Sequence, residues 1–110
     1  MAGPLAEHVF LESLRGDEYY PAHLLDKGRD IFVRLCARLD AEPPADLAGL
    51  YVLTHAATEE FNELQEEFWD ADSEIETVAR EAIAEDMETV ATAYGFAEAD
   101  LEELVAPRDW

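Results

Sequence analysis

Apolar residues recur at three- and four-residue intervals over most of the chain, the period of a helix with one buried face. The clearest run is Leu24, Leu25, Gly28, Ile31, Phe32, Leu35, Cys36 and Leu39. It predicts a helix that starts at Pro21, a residue suited to the first helical turn, and ends near Leu39 before Pro43-Pro44. Gly28 lies in the centre of that stripe, where its cost to the helix points to a neighbouring helix at close range. A second long helix, about Asp46 to Trp69, would bury Leu47, Leu50, Ala57, Phe61, Leu64 and Phe68. A third, from Ser73 to Tyr94, carries Ile75, Val78, Ala79, Ala82, Ile83, Val90 and Ala93 on one arc. Ser73 and Glu76 have the spacing of a capping box at its start, and Gly95 suits its end. Short helices at about Leu5–Leu14 and Glu98–Val105 complete the pattern, and nothing reads as a strand. The expected fold is an all-α, compact single-domain bundle of four to five helices over residues 1–110.

One residue breaks the pattern. Asp86 falls inside the apolar arc of the third long helix, where an unpaired charge would be costly. A tight connection after Trp69 would fold the second and third long helices into an antiparallel hairpin and set residue 86 opposite about residue 57. Thr54, His55 and Thr58 then lie level with Asp86, with Asn62 nearby, and together they are the candidate polar layer or ligand site. Such a layer either fixes helix register or forms an acid/base pair from His55 and Asp86 beside a small pocket. A leucine at position 86 would be tolerated provided no partner is left stranded.

Charge adds a second candidate. The chain has 27 acidic and 7 basic residues, a net charge of −20. Residues 40–107 hold twenty acids and a single base, Arg80. That surface repels phosphate backbones and anionic lipids, so direct nucleic-acid binding and membrane attachment are not expected. On the second helix Glu59, Glu60, Glu63, Glu66 and Glu67 form a ladder opposite the apolar stripe. Of these Glu59, Glu63, Glu66 and Glu67 are the candidate face for a basic protein partner, the competing reading being a solvated surface.

The remaining chemistry is sparse. Cys36 is the only cysteine and sits on an apolar face, which makes it a small buried hydrophobe. His55 and Glu59 are one turn apart, but the second histidine of a helical zinc site is missing, and the glutamate ladder has no loop to wrap an ion. No metal site and no cofactor are expected. His8 and His23 read as surface or edge histidines, and Trp69 and Trp110 as packing anchors. No run approaches the ~20 apolar residues of a membrane span, and a basic leader is not seen, so the cytoplasm is the expected location.

Several segments also carry a resemblance: Tyr20-Pro21, Asp26-Lys27-Gly28, Leu53-Thr54-His55-Ala56-Ala57-Thr58-Glu59 with Phe61-Asn62, Asp72-Ser73-Glu74-Ile75-Glu76-Thr77, Tyr94-Gly95-Phe96 and Arg108-Asp109-Trp110. Over nearly its whole length the chain is similar to a family of small acidic bacterial proteins of unknown function. The resemblance implies a stand-alone, cytoplasmic, all-helical protein and carries no activity. The function expected is a non-enzymatic binding or regulatory module with an acidic helical face, with a site on His55 and Asp86 as the alternative.

Overall fold

The computed structural model describes residues 3–110. After a 3-10 turn at Glu12–Leu14 come helices α1 (Ala22–Ala41), α2 (Leu47–Asp70), α3 (Thr77–Ala93) and the single turn α4 (Leu101–Leu104). No strand occurs among the described residues. The fold is all-α, with one continuous apolar core.

Helix α1 follows its sequence pattern without exception: all eight stripe residues from Leu24 to Leu39 are buried. Close backbone approach is between α1 and α2, and Gly28 permits it. A Cβ added there would lie 3.3 Å from Phe61 Cε1 on α2 and 2.8 Å from Leu11 Cδ1. A line of aromatic rings then crosses the molecule. Phe10 stacks on Phe32 at 4.9 Å, Phe32 meets Phe61 at 5.2 Å, and Phe61 meets Trp110 edge-on at 6.3 Å. Both chain-terminal segments are thereby sewn to the α1–α2 pair through contacts of the kind that add stability beyond buried area.

Several expectations need correction. The stretch from Leu5 is not a helix. Its backbone turns over at Leu11, which has φ +58°, so only Glu12–Leu14 is helical. The capping box at Ser73 does not form either. Asp72 takes a left-handed conformation (φ +59°), and Ser73 N–H bonds back to Phe68 O while Asp72 N–H bonds to Trp69 O. That pair of bonds is a Schellman closure, which makes Ser73 part of the end of α2. Its hydroxyl donates to Tyr19 O at 2.6 Å, and α3 begins at Thr77 with no side-chain cap. The same closure ends α3 as expected, through Gly95 (φ +93°) with Phe96 N–H on Ala91 O.

The third correction concerns the α2–α3 hairpin. With six residues between the helices, α3 comes nearest to the 3-10 turn and to α4, not to α2. Its arc is also rotated from the one expected: Val78 is 56% exposed, whereas Ala84, Met87 and Ala91 are buried. Trp69, expected to anchor packing, is 51% exposed, while Trp110 is buried.

Candidate functional site

Asp86 is 8% exposed and lies among hydrocarbon side chains on α3. Its partners come from the amino-terminal segment. His8 Nε2 donates to Oδ1 at 2.9 Å, and the backbone N–H of Leu11 donates to Oδ2 at 2.7 Å. Both oxygens are therefore engaged, which resolves the cost of placing a carboxylate inside. The bond to Leu11 also accounts for that residue's backbone. An N–H turned out of the helical ladder by a positive φ needs an acceptor, and Asp86 supplies it. His8, expected at the surface, is instead half-buried and edge-on to Phe10 at 4.7 Å. A small cleft of about 200 Å3 opens beside the pair, bordered by Glu12, Ser13 and Glu85.

Thr54, His55, Thr58 and Asn62 do not join Asp86. Thr58 Oγ1 donates back to Thr54 O at 2.8 Å, and Thr54 Oγ1 to Tyr51 O at 3.3 Å, the usual resort of a buried threonine on a helix. His55 Nε2 donates to Glu103 O at 2.7 Å. Asn62 makes a two-way clamp: its Nδ2 donates to Pro107 O, and its Oδ1 accepts from Asp109 N–H, both at 3.0 Å. Two residues not singled out from the sequence extend this series. Tyr51 Oη accepts from Asp100 N–H at 3.0 Å, and Gln65 Nε2 donates to Asp109 Oδ1 at 3.1 Å. Thr58 Oγ1 also donates to Leu104 O at 3.4 Å, so residues 51, 55, 58, 62 and 65 form one polar stripe along α2, at alternating steps of four and three, that holds the closing segment largely by its main chain. The expected polar layer is two separate devices, one at each end of the chain.

The acidic ladder also divides. Glu60 and Glu67 lie on the α1 side of α2, where Arg34 Nη2 meets Glu60 Oε1 and Lys27 Nζ meets Glu67 Oε1, each at 2.5 Å. Glu67 is therefore removed from the expected partner face by a base on α1. Glu59, Glu63 and Glu66 are exposed, and among the described residues none has an ion-pair partner within 4.0 Å. Asp70 continues the same arc.

Cys36 is fully buried and is pushed up to about 11, first by burial and also by the charge of Asp40, against a lowering hydrogen bond from Tyr94. A thiol so protonated is not a nucleophile at neutral pH. Among the described residues no three His, Cys, Asp or Glu side chains are gathered to hold a metal ion. No helix is long and apolar enough to cross a membrane.

The architecture is that of a small all-α protein in which long-range polar bonds tie both terminal segments onto a pair of close-packed helices. A model of a family of unknown function, DUF5713, matches residues 4–110, and the chain belongs to that family. No curated protein and no solved structure matches it.

Proposed function

We propose that this chain is a non-enzymatic binding module of the cytoplasm, and that the outer face of α2 meets a basic protein partner. One observation carries the reading. Lys27 and Arg34 pair with Glu67 and Glu60 on the α1 side, while Glu59, Glu63, Glu66 and Asp70 stay exposed at helical spacing without an ion-pair partner among the described residues, Glu63 at the edge of the cleft that Lys27 and Arg34 line. Such a stripe steers a basic surface by long-range attraction and repels acidic competitors. The candidate acid/base groups are committed elsewhere: Asp86 to His8 and Leu11, His55 to the Glu103 carbonyl, and Cys36 to the core.

The test is capture from a lysate of the source cells, comparing the native chain with Glu59→Gln/Glu63→Gln/Glu66→Gln. The expected result is a basic protein retained by the native chain, released by raised salt and not retained by the variant. Equal retention by both chains overturns the assignment of the face.

A further inference from the structure

Between the start of α3 and the closing segment lies a groove of about 470 Å3 that none of the bonds above fills. This is within the range of about 300–1,000 Å3 typical of sites for small molecules or a few side chains. Tyr20 and Trp110 line it together with Glu74, Glu76, Val78 and Arg80. Its lining combines three features. The first is exposed apolar surface, because Val78 is turned outward. The second is negative charge. Burial first, and next the charge of Glu76, push the hydroxyls of both Tyr19 and Tyr20 above their ordinary values. Glu74 and Glu76 are both exposed at the groove. The third is an unused donor: the indole N–H of Trp110 is buried and has no acceptor. Arg80, the one base of the groove, has its guanidinium on Thr77 Oγ1 at 3.0 Å.

We propose that this groove docks a short basic segment of the partner, an arginine or lysine side chain lying along Val78, over the floor to which Tyr20 and Trp110 contribute, with its charge against Glu74 and Glu76. The proposal rests on the reading of a basic partner and adds an address to it. Charge complementarity selects the occupant: an acidic or phosphorylated segment would be repelled by two exposed carboxylates, whereas a cation is attracted by both and lays its aliphatic stem on the apolar surface of Val78.

The test uses Trp69→Phe, which leaves Trp110 as the single indole, and an acetylated, amidated tetra-arginine peptide, with tetra-glutamate as control. The expected result is a saturable change in indole fluorescence with tetra-arginine only. Binding should weaken roughly tenfold or more in Glu74→Gln/Glu76→Gln, whose substituted side chains are exposed and whose folding is checked by circular dichroism. If tetra-arginine binding is instead lost in Glu59→Gln/Glu63→Gln/Glu66→Gln and unchanged in the Glu74/Glu76 variant, the groove is not the address, although the acidic-module reading stands. Binding of tetra-glutamate, or of neither peptide, overturns the groove proposal. The lysate experiment judges the module reading separately.

Discussion

The carboxylate of Asp86 accepts the backbone N–H of Leu11 at 2.7 Å, across 75 residues of chain. This bond and the left-handed backbone of Leu11 depend on each other. The turn aims the N–H at α3, and the buried acid makes the turn affordable. Asp86→Leu should therefore be strongly destabilising, by about 2–4 kcal/mol, because it strands a buried N–H as well as His8. The expectation that leucine would be tolerated fails on its own condition, since a partner is left behind. Asp86→Asn keeps one acceptor for Leu11 and should lose about 1–2 kcal/mol. Urea unfolding of the two variants checks the order, and an unaltered midpoint for Asp86→Leu would refute the latch.

Asn62 is the best-engaged member of the α2 stripe, with one bond to Pro107 O and one from Asp109 N–H. Asn62→Ala removes both and should cost about 1–3 kcal/mol. Asn62→Asp keeps the acceptor but not the donor and adds charge beside Asp109, so it should be no better than alanine. Hydrogen exchange at Asp109 offers a local readout: its amide should lose protection in both variants, while amides in the middle of α1 keep theirs. Uniform loss across the chain would count against a local clamp.

How much of this was legible depended on whether a residue's partner lies within one helix or far along the chain. The stripe of α1 is set by local periodicity and packing, and every position from Leu24 to Leu39 obeys it. Burial of Asp86 was legible for the same reason. Its partners were not, because they depend on a positive φ at Leu11, and leucine carries no signal for that conformation. The α2 stripe was half visible. Tyr51, His55, Thr58, Asn62 and Gln65 repeat at steps of four and three, a polar seam that announces a partner along one edge of the helix. That partner is chiefly main chain, which has no signature in side-chain pattern. Ser73 and Glu76 match a capping box in spacing alone. Asp72, able to adopt the left-handed region, is what assigns Ser73 to the preceding helix.

Gly28 lies where α1 meets the side chains of Leu11 and Phe61, so Gly28→Ala sets a gain in helix propensity of about 1 kcal/mol against overpacking. The new Cβ would stand 2.8 Å from Leu11 Cδ1 and 3.3 Å from Phe61 Cε1, and both side chains are buried. A net loss of about 1–2 kcal/mol is expected. Leu11→Ala removes the nearer obstacle, so the double variant should be more stable than the sum of the two single losses. Strict additivity in a double-mutant cycle would show that the two residues are not in steric conflict.

Alkaline pH should loosen the protein through Cys36 and Tyr94. Burial raises the Cys36 thiol from an ordinary value near 9 to about 11. Burial first, and then the hydrogen bond to Asp40 at 2.8 Å, raises the Tyr94 hydroxyl as well. In both cases the folded chain keeps a proton that the unfolded chain gives up. Unfolding then releases protons, and stability falls as pH rises. The contribution of Cys36 is complete below about pH 9 and is lost between there and about pH 11. Thermal melts from neutral pH upward should show the fall, and Tyr94→Phe, which removes one of the raised groups, should make it shallower. The same burial predicts that iodoacetamide labels Cys36 at mildly alkaline pH only when the chain is unfolded by urea. Rapid labelling of the folded chain would show that the thiol is neither sealed nor held protonated.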